Sequence, residues 1–130
     1  MGIDVDSREV EEFRVILAHA ADAAPGEVRK VVGKGALNVK NDAKKRVSGL
    51  AHAPAYPRAI SYDTGSNATS AWAEIGPDKA KRQGALGNLL EYGSVHNAPR
   101  PHVGPAGDAE LPRFEKALGD LAVKLIEDPR

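Results

Sequence analysis

An apolar stripe constrains this chain more than any other feature. Val28, Val32, Ala36, Val39, Ala43 and Val47 recur at spacings of three and four, the period of one helix face. The spacing predicts a helix from about Pro25 to Ser48, long enough that its stripe must be covered by other elements. Lys30, Lys34, Lys40, Lys44 and Lys45 fall mostly on the opposite side, and Arg46 falls near the apolar edge. Gly33 and Gly35 each cost about 1 kcal/mol against Ala in a helix interior. They either permit close packing against another backbone or loosen the helix. Ser48-Gly49 is the expected stop.

The remaining elements are read around this helix. Asp6 as N-cap, Glu9 three residues later and Val5 with Val10 as a staple predict a first helix. Its face would be Val10, Phe13, Leu17, Ala20 and Ala24, with Pro25-Gly26 as a break and restart. Pro54 and Pro57 mark an irregular connection. Arg58 to Asp63 alternates weakly, Thr64 to Asn67 is turn chemistry, and Thr69 to Ile75 reads as the return strand of a hairpin. Its Ala71, Ala73 and Ile75 would face one way and Trp72 the other. Gly76-Pro77-Asp78 ends the hairpin. Lys79 to Tyr92 reads as a loop or a short helix, because Gly84 and Gly87 interrupt it. Pro101 to Val103 is expected as a further short strand. The last helix runs to about Ile126, with Phe114, Leu118, Leu121 and Leu125 apolar. Pro112 is either in its first turn or a kink in a helix that begins nearer Pro105. The expected architecture is α+β, a single domain over residues 1–130. A long N-terminal helical region packs on a small antiparallel sheet and a C-terminal helix closes it.

Composition narrows the function classes. The chain has no cysteine, so disulfides and thiolate metal sites are excluded. No apolar run approaches the ~20 residues of a membrane span, and the N-terminus has no signal-peptide pattern. A soluble protein made in the cytoplasm is expected. The six aromatic residues are few for the chain length, which points to assembly as a source of stability. Formal net charge is zero but uneven. Residues 1–24 carry two basic and six acidic groups (−4), and residues 25–50 carry seven and two (+5). Residues 51–105 carry five and four (+1), and residues 106–130 carry four and six (−2). Acidic ends meeting a basic middle suit contact within a subunit or between subunits better than a nucleic-acid coat.

No catalytic constellation emerges. His96 and His102, with His52 and His19 elsewhere, lack the spacing of converging metal ligands and read as solvent-facing loop histidines. Ser94 near His96 shows no nucleophile elbow or triad order. Gly33-Lys34-Gly35 is not a phosphate loop. The expectation is a protein that is not an enzyme and uses no metal or cofactor. Gly84-Ala85-Leu86-Gly87, after Lys79, Lys81 and Arg82, has the Gly-x-x-Gly form with which KH modules clamp a single-stranded backbone. The alternative function is therefore a small nucleic-acid-binding module using the Gly84–Gly87 loop and the basic helix 28–47. The lysines of that helix form either a solvated face or one turned towards DNA or an acidic partner.

The stretch from Asn88 to Ala106 carries the most specific pattern. Gly93 suits positive φ at the end of a short element. Pro99, Pro101 and Pro105 cannot donate to a strand ladder, which argues for an edge strand or extended arm. Glu91 is suited to accept hydrogen bonds from backbone N–H groups of the following turn, and Tyr92 to a half-buried place under the loop.

Leu90-Glu91-Tyr92-Gly93-Ser94, followed by Pro99-x-Pro101-His102-Val103-x-Pro105-Ala106 and a helix, resembles the C-terminal pattern of a phage family. These are the tail-completion or head–tail joining (neck) proteins of long-tailed bacteriophages. Their pattern is roughly aromatic-Val-Glu-aromatic-Gly-Ser/Thr, a short loop, Pro-x-Pro-Phe-Leu-x-Pro-Ala, then a helix. The likeness is close over about the last third of the chain and agrees elsewhere in layout. His102-Val103 stands where Phe-Leu is frequent, Leu90 where Val is frequent, and Pro112 lies inside the expected last helix.

The resemblance implies a structural virion protein at the head–tail junction, made in the host cytoplasm. It would form a ring, commonly a hexamer, around the axial DNA channel, through heterologous contacts that close by rotation. The implied partners are further copies of the chain, other neck, connector and tail-tube proteins, and DNA passing through. The expected ring or partner interface is Leu90, Glu91, Tyr92, Gly93, Val95, His96, Pro99, Arg100, Pro101 and His102. The expected DNA-channel or acidic-partner face is Lys30, Lys34, Lys40, Lys44 and Lys45.

Overall fold

The computed structural model describes residues 4–5, 15–16, 19–20, 25–68 and 70–127. The order is β1 (Asp4–Val5), β2 (Val15–Ile16), β3 (His19–Ala20), α1 (Pro25–Arg46), a 3-10 turn (Tyr56–Ala59), β4 (Ile60–Ser66) and β5 (Ser70–Pro77). A second 3-10 turn (Gly84–Leu86) then leads into α2 (Gly87–Tyr92), and α3 (Val103–Glu127) ends the described chain. The class is α+β, as expected, with a long helix on a small antiparallel sheet and a C-terminal helix. No helix among the described residues is long and apolar enough to cross a membrane.

α1 is the spine. Val28, Val32, Ala36, Val39, Ala43 and Val47 are all buried. They meet Ile60 of β4, Ala71, Ala73 and Ile75 of β5, and Val103, Ala106, Phe114 and Leu121 of α3. Valine and alanine let the helix axis lie close to both sheet and partner helix. Val47 and Ser48 close the helix through bonds to the carbonyls of Lys44 and Lys45, and Gly49 follows at φ 79°, the left-handed stop expected of glycine. The Arg46 guanidinium turns back onto Asp42 with a pair of bonds at 3.1 and 3.2 Å. Nothing lies within 4 Å of where a Gly33 side chain would point, so close packing does not account for that glycine.

β5 is the middle strand of the sheet β3-β5-β4, and β1 pairs with β2 separately. The hairpin register sets Tyr62 opposite Ile75 and Gly65 opposite Trp72. Gly65 belongs to the strand rather than to the turn, and the Trp72 indole occupies the space above it, 2.6 Å from an ideal Cβ. The turn starts at Asn67, whose N–H donates to the Ser70 carbonyl and whose Oδ1 accepts from the Ser70 N–H, both at 2.9 Å.

Two expected elements are corrected. Val15–Ile16 and His19–Ala20, placed in the first helix by periodicity, are extended, and β3 pairs with Ala71 and Ser70 on the free edge of β5. An open sheet edge offers unpaired N–H and C=O groups, and the consecutive β-branched pair Val15-Ile16 favours extension. The rest of that expected helix lies outside the described residues. Pro101–Val103 is not a strand. Val103 already opens α3, and Pro112 sits exposed within that helix.

Candidate interaction site: an exposed loop and its buried anchor

α2 is a short helix whose exit is fixed by Gly93 at φ 77°. The Gly93 N–H donates to the Leu89 carbonyl at 2.8 Å. A side chain there would meet Pro99 N at 2.7 Å and the Asn97 carbonyl oxygen at 2.8 Å. Gly93 is thus required twice, by its backbone conformation and by the chain folding back across it. The segment 94–101 is a compact loop rather than an extended arm or edge strand. Ser94 and Asn97 bond each other's backbone, the Asn97 amide donates to Ser94 Oγ at 3.2 Å, and the Arg100 N–H reaches the Leu90 carbonyl at 2.6 Å. Local bonds take up the backbone groups that the prolines keep from a ladder. Every residue from 94 to 101 is exposed, and Val95 at the tip is 95% exposed.

Below the loop lies a polar anchor. Glu91 Oε1 accepts from the His102 and Val103 N–H groups at 3.0 Å each, and Oε2 accepts from the Gly104 N–H at 3.3 Å. These are donors at the N-terminus of α3, which has no earlier turn to bond. A carboxylate also suits the positive end of the helix dipole. Glu91 therefore caps a helix that begins twelve residues further on, and it is only 5% exposed. Gly104 offers no Cβ to crowd it; one would come within 3.4 Å of Oε2.

His102 completes the anchor. Its Nδ1 lies 2.9 Å from the Arg100 carbonyl oxygen and 3.0 Å from Glu91 Oε1. Both are acceptors, so Nδ1 carries the proton. Nε2 then accepts from the Tyr56 hydroxyl at 2.7 Å, and the two rings meet edge to face at 5.3 Å. Burial holds the His102 ring below the ordinary imidazole range, against the upward pull of the Arg100 carbonyl and Glu91. Burial, and then Glu91, push the Tyr56 hydroxyl above the usual phenol range. A neutral histidine and an un-ionised tyrosine suit a network that joins three chain segments.

This corrects the placement of His102 as a solvent-facing loop residue: it is fully buried, as is Tyr56. Glu91 and His102, grouped with the interface residues, are interior and position the loop rather than present a surface. Val95, His96, Pro99, Arg100 and Pro101 are exposed, Tyr92 is 43% exposed, and Leu90 and Gly93 are half-buried. A groove of about 620 Å³ runs beside the loop, lined by Leu50, Ala53, Leu86, Leu89, Leu90 and Arg100 among others. Tyr56, Glu91 and His102 do not line it, so the anchor has no substrate route through this groove. Sequence reasoning missed Tyr56, which lies in a proline-punctuated connection without periodicity. The signal for His102 was present: the resembled pattern puts an apolar residue at that position.

The Gly84–Gly87 segment is not a flexible clamp. A side chain on Gly84 would overlap the Asp78 carbonyl, and one on Gly87 would run into the Pro77 ring and approach the Tyr56 hydroxyl at 2.9 Å. Both glycines are buried and let the turn after β5 press against the anchor. A further interior carboxylate, Glu110 on α3, also escaped the sequence reading, although it falls on the apolar period of that helix. Its Oε2 accepts from the Asn38 amide of α1 at 3.0 Å, and the Arg113 guanidinium lies 2.9 Å from Oε1.

The five lysines of α1 lie in different surroundings. Lys30 pairs with Glu27 at 3.3 Å. Lys45 lines a polar cleft with Asn38, Asn41, Asp42 and Arg113. Lys34 is exposed, while Lys40 and Lys44 lie half-buried. Among the described residues, no group of three or more His, Asp or Glu side chains is placed to hold a metal ion. No family model, curated protein or solved structure matches the chain.

Proposed function

We propose that this chain is a structural virion protein of the phage neck. Copies assemble into a ring, of six by the resembled family, that joins head and tail around the DNA channel. The observation that carries the reading is the loop 94–101. It is exposed along its whole length, offers Val95 and three ring or proline surfaces to solvent, and is fixed by a buried polar anchor. A loop held this firmly loses little freedom on docking, which favours association. The loop and the apolar groove beside it make one continuous surface for a neighbour. The function is mechanical and non-enzymatic, with connector and tail-tube proteins as further partners.

The test is native mass spectrometry with negative-stain imaging of the purified chain, beside a variant lacking Val95 to Ala98. The expected result is a discrete ring for the intact chain. The deletion should leave a folded protein that no longer closes rings or enters virions. A folded deletion variant with normal rings and normal virion incorporation overturns the role of the loop. An intact chain that stays monomeric at high concentration, also when mixed with connector proteins, overturns the ring.

A further inference from the structure

The sheet ends in an open edge. β4 is the last strand of the order β3-β5-β4, and its seven residues pair with β5 alone among the described strands. The ladder fixes which of its backbone groups are already bonded. The Asp78 N–H donates to the Ala59 carbonyl at 2.8 Å, and the Asn67 N–H donates to the Ser70 carbonyl at 2.9 Å. Both bonds lie in the hairpin register, in which hydrogen-bonded and non-hydrogen-bonded pairs alternate. Ser61, Asp63 and Gly65 therefore turn their N–H and C=O groups towards β5, and Tyr62, Thr64 and Ser66 turn theirs away. No hydrogen bond to these outward groups of Tyr62, Thr64 and Ser66 is formed among the described residues. The Ile60 N–H, which also points outward, donates to the Pro57 carbonyl.

Natural proteins blunt such an edge with Pro, Lys, a bulge or a covering segment. β4 reads Ile-Ser-Tyr-Asp-Thr-Gly-Ser, its register runs without a bulge, and Asp63, Thr64 and Ser66 are exposed. The strand is also held firmly, with Ile60 in the core and Tyr62 packed against it. A strand fixed in advance loses little freedom when another strand adds to it. Its residues favour a copy of themselves in one register. An antiparallel copy related by a two-fold axis at Thr64 sets Thr64 opposite Thr64, and Tyr62 opposite Ser66 of the second copy. Every outward N–H and C=O of these three residues then meets its complement, and Asp63 faces Gly65 of the second copy. An axis at Asp63 would instead set two like charges directly opposite. An axis at Tyr62 would place Ile60 in the new ladder, where its N–H is already bonded.

We propose that β4 is an interaction edge that takes β4 of a second copy of this chain, joining two sheets into one across a two-fold axis at Thr64. The contact is isologous: the same patch serves both copies and closes the edge, so no further strand adds there. It stands on strand geometry, does not use the loop 94–101 and does not require the ring, so either idea can fail alone.

The test is sedimentation velocity of the full chain over a concentration series, repeated on the variant lacking Val95 to Ala98 so that contacts through the loop do not contribute. Both should associate, the second as a plain dimer. Adding Thr64→Lys should reduce that dimer to monomer, because two like charges then meet at the axis. The far-ultraviolet spectrum should not change, since the Thr64 backbone takes no part in the ladder with β5. Register is read with single cysteines, a residue the full chain lacks. Under mild oxidation Thr64→Cys should give a covalent dimer, and Ser66→Cys, which faces Tyr62 of the second copy, should not. A chain that stays monomeric at every concentration overturns the proposal, even where the edge captures an extended peptide of another sequence. So does a dimer that Thr64→Lys leaves intact, or equal cross-linking of the two cysteine variants.

Discussion

The core around α1 and the junction around Glu91 are both buried, yet they are held by opposite means. Along α1 the contacts are valine and alanine against aliphatic side chains and Phe114, non-directional and tolerant of small adjustments. At the junction one carboxylate, one imidazole and one phenol hold three chain segments through aimed hydrogen bonds. The first region supplies stability by area removed from water. The second supplies position: it decides where the loop 94–101 stands and where α3 starts. The difference teaches that the loop is the more specified part of the molecule, although it is the more exposed.

Substitutions can break this contrast, and the largest effect is expected at the junction. Glu91→Ala leaves three α3 donors without their acceptor and should cost about 3 kcal/mol or more in denaturant unfolding. Glu91→Gln should fall between this variant and the parent. Its amide oxygen can replace Oε1 for His102 and Val103, but its NH2 then faces the Gly104 N–H. A loss as large for Gln as for Ala would mean that charge, rather than acceptor geometry, carries the cap.

Gly93→Val comes next, at about 2–3 kcal/mol, because it combines strain at positive φ with the clash against Pro99 and Asn97. A variant that melts like the parent would show that the loop relaxes freely and would remove the contrast. On the other side, Val39→Ala in the α1 core should cost about 2 kcal/mol from lost methyl burial and the cavity left behind. It should leave the loop in place, checked by unchanged backbone chemical shifts over 94–101.

The pH response sharpens the comparison further. The unfolded chain takes up a proton on His102 near 6.5, and the folded chain only at lower pH. Stability from this group is complete above about pH 6.5 and falls as pH drops below it. His102→Phe should flatten that part of the stability–pH curve, whereas core variants should leave it unchanged. An unchanged curve for His102→Phe would mean that other groups set the acid response. The smallest effect is a gain. Gly33→Ala, with open space for the new methyl, should stabilise by up to ~1 kcal/mol, read as a raised melting midpoint. A loss there would point to a backbone need at Gly33 that packing does not reveal.

Much of the fold was legible in the sequence, for a simple reason. α1, the hairpin and α3 each bury one face, and a buried face writes its period into the chain. Val28 to Val47, Ala71-x-Ala73-x-Ile75 and Phe114 to Leu125 all carry that period. Gly49 and Gly93 were legible because positive φ at the end of an element favours glycine. Val15–Ile16 and His19–Ala20 were misread, since apolar spacing of three and four does not exclude short strands. The candidate site was legible only in part. The pattern from Leu90 to Ala106 marked the stretch that holds Glu91, His102 and the exposed loop, and Glu91 was read as an acceptor of backbone N–H groups.

The sequence by itself determined the spine helix, the hairpin faces, the closing helix and the two glycine stops, because these depend on residues close together in the chain. Only the tertiary structure decided that Glu91 caps α3 and that Tyr56 reaches His102 across 46 positions. It alone made Gly84 and Gly87 packing points rather than a clamp. Each of these pairings joins segments that no local period connects. Their partners are fixed by hydrogen-bond geometry, steric fit and charge once the chain has closed around α1.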